Sequence, residues 1–368
     1  MRGHLRYMSE AGYKVTAVAE PGQRLEKVGR REGVEVRGIK IVREISLVAD
    51  VQSLWELRRL FRAERPDILN AGTPKASLIA MLAAWSLRVP VRVYTLRGLR
   101  SERVHGARGL ILRVMERVTS RCATHVVAVS TSLREEYVRR GLAPKSKVVT
   151  IAHGSSNGVD SARFQWTSQD RRAARSELGI DDSSPVIGFV GRLVADKGVD
   201  ELIRAFRMVQ ATEPKCVLLL VGDFEEGDPV EPSTRDSILE DPSILLTGLL
   251  DDAARAYAAM DIVALPSFRE GFPNVVLEAA CAGVPAVGFD ATGTRDAIVH
   301  DRTGMLTPIG DPGRLASELI AYLADPERRR RHGDNAALRA TRDFDPKVIW
   351  SGLSDLYTEA HATVGASQ

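Results

Sequence analysis

Two short stretches in the second half of this chain carry residues of the type and spacing to hold a diphosphate. The first is Phe189-Val190-Gly191-Arg192-Leu193-Val194-Ala195-Asp196-Lys197-Gly198. An apolar run ends at Gly191, and Arg192 and Lys197 then bring two positive charges to one loop. Arginine offers a fork to two oxygens and lysine a point charge. A glycine lets the backbone approach a ligand closely. The second stretch is Ser267-Phe268-Arg269-Glu270-Gly271-Phe272-Pro273-Asn274-Val275-Val276-Leu277-Glu278-Ala279. It predicts a helix over residues 273–283, with Pro273 in the first turn and Gly283 at the stop. Glu270 then lies on the loop before that helix and Glu278 inside it. The tip formed by Gly271, Phe272, Pro273, Asn274 and Val275 presents backbone amides to an anion. Carboxylates near a helix start and basic residues on a loop are each common. Their occurrence on two strand–loop–helix units of one half is what carries meaning.

Both stretches resemble motifs of the family-4 retaining glycosyltransferases, which have the GT-B fold. The resemblance implies that Glu270 faces the donor sugar and Glu278 binds the ribose hydroxyls of a nucleotide. Arg192, Lys197 and Gly191 grip the donor diphosphate. By the same resemblance Gly222 flanks the base and Leu249 lies beside it, although a buried strand-end leucine is an equally simple reading of Leu249. Asp290-Ala291-Thr292-Gly293-Thr294-Arg295-Asp296 matches the family's loop beyond the last donor-domain strand.

The informative loop of the first half is Tyr94-Thr95-Leu96-Arg97-Gly98-Leu99-Arg100. Many relatives have a histidine where this chain has Arg97. A guanidinium cannot act as a base at neutral pH, so its expected work is to stabilise a phosphate or a developing charge. A neighbouring segment that often carries two histidines has Asn70 and Gly72 instead, and Lys75 remains. The expected catalytic residues are thus Glu270, Arg192, Lys197 and Arg97, with Arg97, Arg100 and Lys75 on the acceptor side. His4 and His105 are spare candidates. No metal is expected: Asp343-Phe344-Asp345 mimics a metal-binding Asp-X-Asp but reads as the N-cap of a last helix.

The elements that must position these residues alternate. In the first half, helices are predicted at 2–11, 50–65, 74–87, 107–122 and 132–140. Strands are predicted at 14–19, 38–42, 67–71, 91–95, 125–129 and 147–151. A polar stretch at 152–184 follows. Strands at 186–190, 217–221, 244–247, 262–265 and 286–289 then alternate with helices at 199–211, 251–260, 273–282, 294–299 and 312–323. Residues 223–233 read as a mobile acidic loop, and 345–362 as a closing helix anchored by Trp350 and Tyr357. Such alternation gives parallel sheets with helices on both faces. The fold expected is α/β: GT-B, two Rossmann-like doubly wound domains facing a cleft. The acceptor domain spans 1–160 plus the closing helix 345–362, and the nucleotide-sugar domain 161–344. The first strand and glycine loop of the first domain are missing. Met1-Arg2-Gly3-His4 reads as the middle of that unit, and a reading frame beginning upstream of Met1 is the other explanation.

The totals fit two domains. The chain has 368 residues, 44% hydrophobic and 27% charged. No apolar run is long enough to cross a bilayer, and nothing at the start reads as a signal peptide. Three scattered cysteines, Cys122, Cys216 and Cys281, suit neither a metal site nor a disulfide framework, which favours the cytoplasm. The net charge of +3 hides a split. Residues 1–160 hold 29 Lys+Arg against 15 Asp+Glu, and the remainder carries net −11. The first half therefore meets something anionic, and no nucleic-acid signature is present. Helix 107–122 sets Leu110, Ile111, Val114, Met115 and Val118 on one side and Arg113, Arg117 and Arg121 on another. That suits peripheral contact at the inner membrane face as well as a core-packed helix.

The expected activity is retaining transfer of a sugar from a UDP-sugar, with no further cofactor. The acceptor hydroxyl belongs to a glycan, a lipid-linked sugar or a small molecule, as in capsule or lipid-linked oligosaccharide assembly. A GT-B nucleotide-sugar epimerase and a non-catalytic nucleotide-binding partner subunit are the alternatives.

Overall fold

A computed structural model describes residues 2–41, 46–104, 106–250 and 252–365. The chain divides into two compact units: residues 1–157 with 346–368, and residues 158–345. His105 lies outside the described residues, as does Val42, the last residue of the strand expected at 38–42.

The first unit runs α1 (His4–Glu10), β1 (Thr16–Ala19), α2 (Gln23–Glu32), β2 (Glu35–Gly38), α3 (Leu47–Glu64), β3 (Ile68–Ala71), α4 (Pro74–Ser86), β4 (Val91–Leu96), α5 (Gly106–Cys122), β5 (His125–Ala128), α6 (Thr131–Arg139) and β6 (Val148–Val149). Its parallel strands form two sheets, β1–β2 and β3–β4–β5–β6. The strand expected at 38–42 ends instead at Gly38, and α2 had no counterpart among the expected helices. A cavity of about 460 Å³ separates the sheets, with Thr16 and Val18 of β1 on one side and Ile68, Leu69 and Asn70 of β3 on the other. On one face of the larger sheet, Leu57 and Phe61 of α3 pack with Ile79, Ala83 and Ala84 of α4.

The second unit runs α7 (Ser168–Glu177), β7 (Val186–Val190), α8 (Val199–Thr212), β8 (Val217–Val221), α9 (Pro232–Glu240), β9 (Ile244–Leu246), α10 (Ala254–Ala259), β10 (Ile262–Leu265), α11 (Asn274–Cys281), β11 (Ala286–Phe289), α12 (Thr294–Ala297), β12 (Gly304–Thr307), α13 (Pro312–Ala324) and α14 (Pro326–Asp343). Six parallel strands pair in the order β12-β11-β10-β7-β8-β9. The order reverses between β7 and β10. In doubly wound sheets, ligands bind beyond the carboxyl ends of strands at that reversal. Both chemistry-bearing stretches of the sequence leave those two strand ends.

The closing helix α15 (Pro346–Gly365) belongs to the first unit. Its Leu353, Tyr357 and Ala360 join Met8 of α1 and Val91 and Val93 of β4 in a core on the opposite face of the larger sheet from α3 and α4. β4 is therefore covered from both sides, and every residue of it except Arg92 is buried.

Candidate active site

At the reversal point, backbone crowding sets the loops. A side chain at Gly222 (φ +148) would put its Cβ 1.8 Å from the carbonyl oxygen of Gly191. The amide of Gly191 donates to Val221 at 2.9 Å. Gly198 takes φ +69, and a Cβ there would lie 2.0 Å from the carbonyl of Pro266. Only glycine fits either place. The loop after β7 is thereby pressed onto the loop after β10.

Lys197 closes the single 3₁₀ turn that precedes α8. Its ammonium reaches the Glu270 carboxylate at 2.5 Å, across 73 positions of sequence, and both side chains are largely buried. A second pair, Arg269 with Asp196 at 2.8 Å, runs the other way between the same loops. The Glu270 amide donates to Thr292 at 2.9 Å. Gly293 lies so close that a Cβ on it would sit 2.6 Å from the Gly271 carbonyl. The loop beyond β11, matched in the sequence as residues 290–296, thus supports the Glu270 turn.

Arg192 is half exposed and does not touch Glu270. It pairs with Glu225 at 2.6 Å. Asp228 accepts the Asp196 amide at 2.8 Å. The acidic stretch expected to be a mobile loop is therefore bound to the basic loop, and its last two residues, 232 and 233, open α9.

Helix α11 begins at Asn274, so Pro273 is the cap and not the first helical residue as expected. The tip of Gly271, Pro273, Asn274 and Val275 still follows directly from the Glu270 turn. The Phe272 ring is buried against Phe344, with centroids 5.1 Å apart, and its work is packing. One turn into α11, Glu278 accepts a hydrogen bond of 2.7 Å from the Tyr257 hydroxyl. Burial raises the Glu278 pKa, against the lowering pull of Tyr257 and of Arg163. Burial, then Glu278, push the Tyr257 hydroxyl far up. Tyr257 was not singled out in the sequence, because no spacing rule links it to Glu278. Leu249 follows Gly248 (φ +71) and is 80% exposed, so the buried-leucine reading is wrong.

In the first unit, Arg97 lines the cavity. Gly72 makes room for it: a Cβ there would be 2.8 Å from the Arg97 Nε. The Arg97 side chain is exposed, yet the protein around it lowers its pKa. Asn70 accepts from the Thr95 hydroxyl at 2.7 Å and donates to the Tyr357 hydroxyl at 2.6 Å. His4 is buried against Trp350, ring centroids 6.0 Å apart, and neither ring nitrogen has a hydrogen-bond partner among the described residues. Burial first, then Arg97, lowers its pKa to about 4. Lys75 and Arg100 stand outside this cavity lining. Lys75 pairs with Asp50 at 2.6 Å, and Arg100 sits exposed on a short 3₁₀ turn. Among the described residues, no three His, Cys, Asp or Glu side chains gather as a metal site would need.

Two Rossmann-like α/β units, one with glycine-lined loops at its strand reversal, define a protein of the GT-B class. Residues 170–339 match the model of glycosyl transferases group 1, and residues 2–154 match a glycosyl transferase 4-like domain. The chain is 32% identical over 357 residues to the capsular polysaccharide biosynthesis glycosyltransferase CapM of Staphylococcus aureus, covering 97% of this chain and 93% of CapM. It is 25% identical over 288 residues to the UDP-Gal:alpha-D-GlcNAc-diphosphoundecaprenol alpha-1,3-galactosyltransferase of Escherichia coli, 77% of this chain and 73% of that enzyme. Among solved structures, HepE of Anabaena in complex with UDP and glucose superposes with a TM-score of 0.81 at 22% identity, covering 97% and 95% of the two chains. The chain belongs to the family-4 glycosyltransferases of GT-B fold. It is an enzyme that uses a nucleotide-sugar donor.

Proposed function

We propose that this enzyme moves a sugar from a UDP-sugar to a hydroxyl of a lipid-linked or polysaccharide acceptor, with retention of anomeric configuration. The observation that carries the proposal is the Lys197–Glu270 contact, which joins the two loops of the strand reversal in one buried ion pair. CapM acts in capsule biosynthesis, the Escherichia coli relative uses UDP-Gal and a diphosphoundecaprenol-linked sugar, and HepE was solved with UDP. The first supports a polysaccharide product, the second both this donor and this acceptor chemistry, and the third the UDP donor.

In the proposed step the bond from the anomeric carbon to the diphosphate oxygen breaks. The acceptor oxygen bonds to the same face of that carbon, and its proton passes to the departing phosphate oxygen. Charge grows on the diphosphate as the bond opens. Lys197 and Arg192 stabilise that charge, and preorganised cations do so most effectively where water is scarce. Arg192 exchanges Glu225 for phosphate as the donor enters. Glu270, held by Lys197 and by the Thr292 carbonyl, orients the sugar. Glu278 accepts hydrogen bonds from the ribose, and Leu249 covers the base. Arg97 attends the acceptor end.

Lys197→Ala and Glu270→Gln are each expected to lower turnover about a hundredfold, as loss of one preorganised charge does elsewhere. Turnover on an undecaprenyl-diphosphate-linked acceptor, with UDP affinity by calorimetry, reads this directly. Wild-type turnover in both variants would remove the mechanism. An inverted anomer in the product would remove the same-face step.

A further inference from the structure

Among the described residues, seven large apolar side chains of the first unit are exposed on one layer of helices. They are Val48, Val51 and Trp55 on α3, Trp85 on α4, and Leu110, Ile111 and Val114 on α5. The three helices are neighbours, since α4 packs against both α3 and α5. They also run in the same direction. Lys75 in the first turn of α4 pairs with Asp50 in the first turn of α3, and Arg58 reaches Ser86 at the far end of α4. Helix α5 joins parallel strands β4 and β5, as α4 joins β3 and β4, so α5 shares that direction.

The exposed faces of α3 and α5 repeat one pattern. Each carries an apolar stretch that gives way to basic residues toward its C-terminal end, and α5 has a further exposed arginine, Arg108, in its first turn. On α3 the stripe is Val48, Val51 and Trp55, then Arg59 and Arg62. On α5 it is Leu110, Ile111 and Val114, then Arg117 and Arg121. Trp55 and Trp85 are 65% and 57% exposed. The Arg58 guanidinium lies 5.6 Å from the Trp55 ring centre. Tryptophan with arginine beside apolar side chains is the composition that settles at a headgroup boundary. Patches of exposed apolar side chains on this scale are uncommon on a monomer unless something covers them. The excess of 29 basic over 15 acidic residues in 1–160 chooses the occupant by charge.

We propose that the α3–α4–α5 layer docks on an anionic lipid bilayer, inserting the apolar half and seating the arginine half on the headgroups. The inference stands on exposure and charge and does not depend on the transfer reaction. The test uses the full chain and sedimentation with phosphatidylcholine vesicles, with or without about one third phosphatidylglycerol. The chain is expected to sediment with anionic vesicles only, and to be released as salt rises to about 0.5 M, where charge screening acts over a few ångströms. Trp55→Ala with Trp85→Ala weakens vesicle binding about tenfold, and Arg117→Gln with Arg121→Gln does likewise, since each anchor adds a small increment. These side chains are exposed, so melting temperatures stay within a few degrees. A Glu270→Gln chain, inactive if the proposed mechanism holds, still binds vesicles as the wild type does, which separates this proposal from that one. Wild-type protein that stays in the supernatant overturns the inference. So does equal binding by the substituted chains, and so does a solution dimer that the tryptophan substitutions dissociate in place of vesicle uptake.

Discussion

In the proposed donor site Glu278 accepts ribose hydroxyls, a task that suits the ionised carboxylate best, and it sits where burial hinders ionisation. Burial raises its pKa, and the Tyr257 hydroxyl, at 2.7 Å, offsets part of that rise by donating to the anion. As pH falls through this raised pKa, Glu278 gains a proton, loses acceptor capacity, and the donor KM rises. Tyr257→Phe removes the hydrogen bond to the anionic form, so the pKa climbs further. The acidic limb of the kcat/KM profile for the donor therefore moves to higher pH in the variant, while the alkaline side is unchanged. Superimposable profiles for the two proteins would rule this out. The residues of this site differ in how far the sequence discloses them. Glu270 and Lys197 are readable because each stands at a fixed offset from a glycine that ends or follows an apolar run. Tyr257 is not, because its partner lies on another helix. Nor is the Arg192–Glu225 pair, since nothing local says that an acidic loop folds back on the basic one.

At the level of elements, the strands of the second unit are legible because parallel strands covered on both faces need apolar side chains throughout. Residues 186–190, 217–221, 262–265 and 286–289 are all of that kind. Four helices, α2, α7, α9 and α14, escape the same reading, and for three of them the physical reason is plain. Helix α2 is polar along nearly its whole length, and only Leu25 and Glu32 are buried in it. Helix α7 buries an arginine: Arg175 pairs with Asp261 at 2.8 Å and donates to the carbonyls of Asp182 and Ser184. Helix α14 packs through small residues, Gly333, Ala336 and Ala340, where a Cβ on Gly333 would meet the Gly283 carbonyl at 2.1 Å. Hydrophobic periodicity cannot find an interface made of missing side chains. The same close approach yields a prediction at the strand reversal. Gly222→Ala forces a Cβ to within 1.8 Å of the Gly191 carbonyl and places alanine at a backbone angle it resists. Strain of this kind costs about 2–4 kcal/mol, and it falls on the loop that carries Arg192. Denaturant unfolding and UDP calorimetry should show both a lower midpoint and weaker binding. An unchanged midpoint would mean that the two loops separate freely.

For the molecule as a whole, the chain leaves its first unit after Asn157, builds the second, and returns to the first with α15. The sequence gives the returning helix by its anchors, Trp350 and Tyr357. It does not show that the first unit's strands form two sheets with a cavity between them, because strand pairing is a long-range property. In α15, Ile349, Leu353, Tyr357 and Ala360 are all buried, and Leu353, Tyr357 and Ala360 share a core with Met8, Val91 and Val93. Truncating one buried large side chain costs about 2–4 kcal/mol. Removing three such side chains together approaches the whole stability of an ordinary domain, about 5–15 kcal/mol. Deleting residues 346–368 should therefore unfold the first unit at room temperature. The second unit has its own six-stranded sheet and its own core, in which Phe189, Phe206 and Phe289 are fully buried. It contains Lys197, Glu270, Glu278 and Tyr257, and loses none of its contacts within that core. The truncated protein is expected to keep a single thermal transition that rises with added UDP, as mass action requires for a ligand bound only by the folded unit. Transfer should fall below detection. Hydrogen exchange would locate the loss, with β4 and α4 unprotected while β7 and β10 stay protected. Loss of UDP binding on this truncation would mean that the donor site draws on the first unit, and the assignment of donor binding to residues 158–345 alone would fail.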